Sequence, residues 1–467
     1  MTVSAEPFSP ALRRSIGVVM IGASLTFLDS TIVNVAVHTL SADLRAGLGT
    51  VQWVVTAYLL ALAAVIPVTG WAARRFGAAR LYVAALAVFT VGSVLCACSQ
   101  SAGMLIVSRA LQGAGGGAIM PVGTMIWTAQ SAKAQMGRVV GILAVPIVLA
   151  PTLGPAIGGL LIESIGWRAI FWLNVPFGVA GTVLALRLLP RGKGGDAGRL
   201  DVTGLVLASV GIGCLTYGLA ETGVVAGWDT AAVVALLVGL AALAGFVRQA
   251  LRAKRPLLDL RLYGNRAFAA ASVAQFALGA ANFGGMILMP LYFQTVRGES
   301  VVLAGLLLAP TGLGALLAAP LTDRWGAGST AFAGTAVLAI STVPFVFLTA
   351  TTPYLLLCLV MVFRGVGFGL SIIPAMTAAY RALPPEKIPD ATPQLNVLQR
   401  VGGAIGTAVL TVVLAGQLRD DPTPAGQASG FAATFWWVLA SAIAAAVPAV
   451  VLARTELHAR RRAGTAA

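Results

Sequence analysis

Long apolar runs, separated by short polar loops, are the first constraint on this chain. A helix that crosses a bilayer needs about 20 predominantly apolar residues, because without water every backbone polar group must be satisfied inside the segment. Runs of this length lie near 15–38, 50–71, 80–98, 103–127, 137–161, 169–190, 202–220, 231–250, 268–292, 301–320, 330–350, 353–378, 396–416 and 430–453. Of 467 residues, 58% are apolar and 10% charged. A soluble domain carries about 25% charged residues, so much of this surface must face lipid. The expectation is an all-α integral membrane protein of fourteen transmembrane helices.

The formal charge of +15 could suggest a nucleic-acid partner. The distribution excludes that, because the basic residues sit in loops between apolar runs instead of on one domain. With a cytoplasmic amino terminus, the inside regions hold 24 of the 31 Lys and Arg residues, and the outside loops hold four, Arg45, Arg168, Arg297 and Arg419. The remaining three, Arg109, Arg364 and Arg400, lie within apolar runs. This bias follows the positive-inside rule and puts both termini in the cytoplasm of a multi-pass cell-membrane protein. Arg13 and Arg14 precede the first run without a small-residue cleavage site, so that run is expected to stay as an uncleaved anchor. The basic stretch 248–266 suits a cytoplasmic amphipathic segment, either as a topology signal or as a lipid contact. Cys96, Cys98, Cys214 and Cys358 fall in apolar runs and suit small apolar fillers.

The chain repeats itself. Arg75-Phe76-Gly77 recurs as Arg324-Trp325-Gly326, 249 residues later, and Gly113, Gly115 and Gly117 recur as Gly365, Gly367 and Gly369, 252 residues later. Gly154 matches Gly402 or Gly403 at a similar offset. The halves would be two parallel six-helix bundles, 1–190 and 267–453, with an inserted helix pair and linker at 191–266 and a cytoplasmic tail at 454–467. Two bundles of this kind can rock about a central site.

Ionisable groups inside a bilayer are expensive, and few are kept without a use. Of sixteen acidic residues only Asp29 lies well inside a run, in Leu28-Asp29-Ser30-Thr31-Ile32-Val33-Asn34. A carboxylate there either exchanges a proton near neutral pH or is a structural acid bonded to neighbours such as Asn34. The repeat offset places Asn282 opposite Asp29. Arg109 is the matching positive charge, followed by Gln112 and the Gly113–Gly117 glycines, which let another backbone approach closely. These glycines are no phosphate loop, since no Lys-Ser/Thr follows. Pro151 and Pro155 should kink the fifth run, while Gly154, Gly158 and Gly159 give it a smooth packing face. The segment Gly70-Trp71-Ala72-Ala73-Arg74-Arg75-Phe76-Gly77-Ala78-Ala79-Arg80 suits a tight turn with arginines that bridge helix ends. Its second copy carries Asp323 and Arg324.

These four segments resemble the signatures of the major facilitator superfamily, and with fourteen helices they resemble its drug–proton antiporter branch. The segments 167–178 and 396–403 are similar to further stretches common in that branch. The resemblance implies proton-coupled efflux of amphipathic drugs or antibiotics, with Asp29 and Arg109 in proton coupling. It implies gating and packing roles for Gly70, Arg74, Arg75, Gly77, Arg80, Gln112, Gly113, Pro151, Gly154, Pro155, Gly158, Gly159, Asp323 and Arg324. In the family an Asp usually stands where this chain has Arg74. A cavity lined by Asn34, Trp53, Tyr58, Asn282, Tyr292 and Gln294 is expected, with Glu163 or Glu221 as a possible second proton site. An exporter dedicated to one natural product or metabolite, or a proton symporter, stays open. A membrane enzyme or sensor fits poorly, because no Ser/His/Asp, Cys/His or metal-ligand constellation, nucleotide loop or sizeable soluble domain is visible. The expected partners are a small amphipathic substrate, protons and the bilayer, with no cofactor, no nucleic acid and a monomeric state.

Overall fold

In the computed structural model the described chain is helical throughout. The structure describes residues 8–464 apart from 132–134, 136–138, 140, 141, 144–149, 151, 152, 155, 156, 191, 193, 196, 197, 225–229, 254, 255, 319, 320, 322–325, 421 and 422. Helix α1 (Pro10–Ile32) begins where Ser9 accepts a hydrogen bond from the Leu12 amide at 3.2 Å and Pro10 occupies the first turn. Both choices suit amides that no preceding carbonyl can reach. A 3-10 turn (Val33–Ala36) leads into α2 (Val37–Asp43). Helix α3 (Leu48–Val65) passes through a 3-10 turn (Ile66–Val68) into α4 (Thr69–Phe76). Pro67 sits in that turn, where its missing N–H breaks the α-helical ladder. Helices α5 (Ala78–Ala97), α6 (Ala102–Thr128), α7 (Arg168–Leu188), α8 (Val202–Val224) and α9 (Thr230–Arg252) follow. After a 3-10 turn (Leu260–Gly264) come α10 (Arg266–Thr295), α11 (Val301–Leu307), α12 (Ala309–Ala318), α13 (Ala327–Thr342), α14 (Tyr354–Arg381), α15 (Ile388–Asp420) and α16 (Pro424–Gly464).

The fourteen-helix arrangement of two six-helix bundles and an inserted pair is not what this structure gives. Ten helices among the described residues are long and apolar enough to cross a membrane. The four apolar runs that drop out do so for separate reasons. The run near 103–127 is one unbroken helix, α6, but Arg109, Gln112 and its glycines dilute its apolar character. The run near 137–161 falls largely outside the described residues. Near 202–220 the helix α8 runs over Val202–Val224, and the apolar stretch described within it is Val202–Leu215. The run near 301–320 is split into α11 and α12, each too short to cross alone. Apolar length in sequence therefore overstated the number of continuous apolar helices.

The long apolar helices make the chain a multi-pass membrane protein. Its periphery is apolar: Val107, Leu160, Ile165, Leu355, Ile340 and Phe347 are all at least 70% exposed. Its polar side chains lie inside, among them Asp29, Arg109, Gln112, Asn174 and Gln275. This is the inverse of a water-soluble surface and suits an apolar solvent.

Helix α6 packs between α3 and α5, and α7 packs on α1 and α5. Helix α14 packs against α12 and α13, and α10 against α15 and α16. Helices α8 and α9 pair with each other, and α15 also reaches α4, α6 and α8. Glycine makes the two α6-like contacts possible in the same way. A methyl at Gly113 would fall on the Tyr58 carbonyl, and one at Gly365 on the Thr311 carbonyl. Gly115 lies on Phe89 of α5, and Gly367 on Leu338 of α13. Gly77 (φ +88°) and Gly326 (φ +91°) open α5 and α13 in a conformation that side-chain-bearing residues rarely adopt.

Candidate functional site

Asp29 sits on the buried side of α1, three residues before that helix gives way to its 3-10 turn, and none of its side chain is exposed. Three donors from two other helices converge on its carboxylate. Arg109 Nη1 of α6 donates to Oδ2 at 2.6 Å, Gln112 Nε2, one turn along, donates to Oδ1 at 2.9 Å, and Asn174 Nδ2 of α7 donates to Oδ1 at 2.7 Å. The spacing of Arg109 and Gln112 places both on one face of α6, which is why one carboxylate can meet them together.

The arginine is equally enclosed. Arg109 Nε donates to the Val54 carbonyl at 3.2 Å, and Nη1 also reaches Gln112 Oε1 at 2.8 Å. Its guanidinium lies 4.0 Å from the centre of the Tyr58 ring on α3. Tyr58 is itself fully buried, with its hydroxyl 3.4 Å from the Thr26 carbonyl of α1. A second layer steadies the amides. Asn174 Nδ2 also reaches Ser93 Oγ at 3.2 Å, Ser93 donates to the Phe171 carbonyl at 2.9 Å, and Cys96 Sγ lies 3.5 Å from Gln112 Oε1. A buried ion pair on neutral amides is worth more as a fixed geometry than as net stability, because both ions are withdrawn from water. Gain or loss of one proton at Asp29 would change the charge that α1, α6 and α7 share.

The fifth apolar run touches α1 just beyond this carboxylate. Gly154 lies against Thr31, Gly158 against Ile32, and Thr31 Oγ1 donates to the Ala150 carbonyl at 3.0 Å. Gly159 faces open space. Pro151 and Pro155 lie outside the described residues, as do Asp323 and Arg324.

At one end of the molecule α4 meets the start of α15. Arg74 forms an ion pair with Asp390, and Gly70 lets the Pro389 carbonyl approach closely. The Gly195 amide donates to the Arg74 carbonyl at 2.9 Å, and Trp71 Nε1 to the Gly198 carbonyl at 3.2 Å. Nearby, Lys387 Nζ donates to Asp259 Oδ2 at 2.8 Å. Burial alone would raise the Asp259 pKa, but the hydrogen bond and charge of Lys387 outweigh it and hold that carboxyl below its ordinary value. The same hydrogen bond raises Lys387. Arg75 and Arg80 are exposed.

The expected cavity residues do not gather around Asp29 as a group. Tyr58 does. Trp53 is 42% exposed and stacks on Tyr217 of α8 at 5.4 Å. Tyr292 is buried among aromatic residues and donates to the Thr349 carbonyl at 2.6 Å, with Gln294 half-buried two residues on. Asn282 is buried on α10 beside Ala281, whose carbonyl accepts from Arg364. The side chains of Asn34 and Glu221 lie outside the described ones, and Glu163 follows the fifth run, five residues after Gly158. Sequence reasoning missed Asn174, Ser93 and Asp390. Asn174 carried a signal, as the one amide inside the apolar α7. Ser93 and Asp390 carried none, since a serine in an apolar helix and an acid in a first turn are both ordinary.

A polytopic helical membrane protein with a charged network sealed among its helices has the build of a membrane transporter. The Major Facilitator Superfamily model matches residues 19–407, and the chain belongs to that superfamily. It is 37% identical over 420 residues to the "Multidrug resistance protein B homolog" of Mycobacterium tuberculosis, covering 88% of this chain and 77% of that one. It is 34% identical to the "Methylenomycin A resistance protein" of Bacillus subtilis, covering 85% of this chain and 86% of that one. Among solved structures it is similar to the proton:xylose symporter XylE, with a TM-score of 0.65 at 14% identity, over 93% of this chain and 94% of that one, a likeness of fold.

Proposed function

We propose that this protein is a proton-coupled antiporter that exports amphipathic organic molecules from the cytoplasm. The observation that carries the proposal is the Asp29 carboxylate held by Arg109, Gln112 and Asn174. A proton arriving from outside on Asp29 removes the negative charge that α1 presents to Arg109. The guanidinium then keeps the neutral acceptors Val54 O and Gln112 Oε1, so α1 is released from α6 without leaving a cation stranded. Gly154 and Gly158 allow the fifth run to slide on α1 at that level. The Arg74–Asp390 pair closes the cytoplasmic end while substrate leaves outward, and proton release to the inside resets the cycle. Each charge that moves with the membrane potential supplies about 2.3 kcal/mol per 100 mV. The names of the relatives at 37% and 34% identity support export of antibiotics or drugs. A relative named for one antibiotic also supports a narrower exporter, and resistance profiling against many compounds separates the two.

The test is efflux by inverted membrane vesicles with and without an imposed proton gradient. Gradient-dependent accumulation is expected for the wild type and not for Asp29→Asn. Retained gradient-dependent accumulation in Asp29→Asn would remove the coupling role.

A further inference from the structure

An ionised carboxyl group only accepts hydrogen bonds, whereas the acid it becomes on protonation must also donate one. The three side chains bonded to Asp29 all donate to it: Arg109 Nη1 at 2.6 Å, Gln112 Nε2 at 2.9 Å and Asn174 Nδ2 at 2.7 Å. A proton on Asp29 therefore needs an acceptor that these groups do not present in the ionised site. Arg109 cannot supply one, because a guanidinium has none. Gln112 is held the wrong way round. Its Oε1 accepts from Arg109 Nη1 at 2.8 Å and lies 3.5 Å from Cys96 Sγ, so a reversed amide would set N–H against N–H.

Of the three, Asn174 has a neighbour that tolerates reversal. Its Nδ2 lies between Asp29 Oδ1 at 2.7 Å and Ser93 Oγ at 3.2 Å, and a serine hydroxyl can either accept or donate. In this structure Ser93 gives its proton to the Phe171 carbonyl at 2.9 Å. The other titratable groups packed around Arg109 and Gln112, Tyr58 of α3 and Cys96 of α5, are buried. The backbone that carries Asn174 is closely packed. Gly178, one turn on, lies against Thr90 of α5, and Gly181, two turns on, lies against Ile21 of α1. All three share one face of α7. Reversal asks nothing of that backbone, since the terminal torsion of an Asn side chain is broad and two-fold.

We propose that Asn174 is a positioning residue that reverses its amide when Asp29 takes up a proton, with Ser93 as the hydroxyl that makes the reversal possible. The inference rests on the proton-coupling reading of Asp29 above and says how that site is switched. With the amide reversed, Oδ1 stands where Nδ2 stood, between Asp29 and Ser93. It accepts from the new Asp29 O–H. It also accepts from Ser93, which swings its proton away from the Phe171 carbonyl. That carbonyl keeps its place in the α7 hydrogen-bond ladder. Helix α1 is then bonded to α7 in both protonation states, while its charge-assisted bond to Arg109 of α6 exists only in the ionised one. The proton lets α1 part from α6 while it stays hinged on α7.

The test is infrared difference spectroscopy of the purified full chain in lipid, stepped from alkaline to mildly acid pH. In the wild type a carboxylic-acid C=O band is expected on acidification, and it should be absent from Asp29→Asn. Isotope-labelled asparagine should reveal an amide C=O band that changes in the same step and is lost in Asn174→Leu. Asn174→Leu should also move the acid band to higher frequency, because an acid O–H without an acceptor leaves its C=O bond stiffer. Asn174→Thr, whose hydroxyl can donate or accept, should bring it part of the way back. Ser93→Ala should raise the frequency of the acid-state asparagine band, since Oδ1 loses a donor, and it reads the reversal even if Asn174→Leu does not fold. Thermal unfolding in detergent establishes which variants fold. An acid band that stays in place in Asn174→Leu, or an asparagine band that responds neither to acid nor to Ser93→Ala, overturns the inference and leaves proton uptake at Asp29 standing. If no acid band depends on Asp29, the coupling role of Asp29 falls and this inference with it.

Discussion

The two fully enclosed arginines of this protein, Arg109 and Arg364, solve the same problem in opposite ways. Each precedes a run of glycines that lets its helix approach two neighbours at backbone distance. At Arg109 the counterpart is a carboxylate with two amide donors of its own. At Arg364 the acceptors are a threonine hydroxyl and a main-chain carbonyl. The register differs too: Arg364 stands immediately before Gly365, where the first copy has Gln112 before Gly113. The cation of one copy thus occupies the amide position of the other. A repeated frame carries two different charge arrangements, one in which the arginine meets a carboxylate and one in which it meets neutral oxygens. The proposed coupling belongs with the first.

The largest expected difference lies in removing each arginine's partner. Asp29→Ala leaves Arg109 buried without a counter-charge, on neutral acceptors alone, and should lower stability by about 3–5 kcal/mol. Thr342→Val takes one neutral acceptor from Arg364 and should lower it by about 1–3 kcal/mol. Thermal unfolding in detergent reads both, and equal losses would erase the distinction between the sites. A double-mutant cycle sharpens it. Asp29→Asn with Arg109→Gln should show strong coupling, whereas Asn282→Ala with Arg364→Gln should be additive within about 0.5 kcal/mol.

Next in size is Asn174→Ala, which removes one hydrogen bond to a charged acceptor and should lower stability by about 1.5–3 kcal/mol. Asn174→Ala in an Asp29→Asn background should have a smaller effect, and an undiminished one would mean that Asn174 acts elsewhere. Gly113→Ala and Gly365→Ala test what the sites share. Each sets a methyl against a carbonyl, and each should destabilise by about 1–3 kcal/mol. A large inequality between them would show that the glycine frame is not equivalent in the two places.

The smallest effect is at the periphery. The Asp259 carboxyl is held below its ordinary pKa of 3.8 by Lys387, so the folded state binds that proton less readily than the unfolded chain. Its stabilising contribution is therefore present above the ordinary carboxylate range and is lost as pH falls through the lowered value. Lys387→Ala should remove that acid-side sensitivity while changing stability at neutral pH by no more than about 1 kcal/mol, as a partly exposed pair allows. Unfolding curves of the two proteins between pH 7 and acid pH, which should converge as the carboxyl protonates, measure it.

Much of the site was legible in the chain. Asp29 and Arg109 stood out because an ionisable residue inside an apolar run is costly and therefore conspicuous. Their pairing was inferred from charge alone, and the structure supplies its geometry. Ser93 and Asp390 were not legible, since a serine in an apolar helix or a helix-end acid is common, and Asn174, conspicuous as the one amide of α7, carried no sign of its partner. Trp53 and Tyr292 looked like cavity residues because aromatic side chains suit both cavities and cores, and nothing local distinguishes the two.

The sequence alone determined the helical, lipid-facing character of the chain, the internal repeat and the identity of the interior charges. All of these follow from hydropathy and spacing, which are local properties. It overstated the number of continuous apolar helices, because hydropathy does not register where α11 breaks from α12 or how far glycine and arginine dilute α6. Only the tertiary structure decided which interior arginine meets a carboxylate and which meets neutral oxygens. That choice depends on how helices far apart in the chain rotate and approach one another. Two glycines at the same spacing can bring two backbones equally close while presenting quite different side chains across the gap.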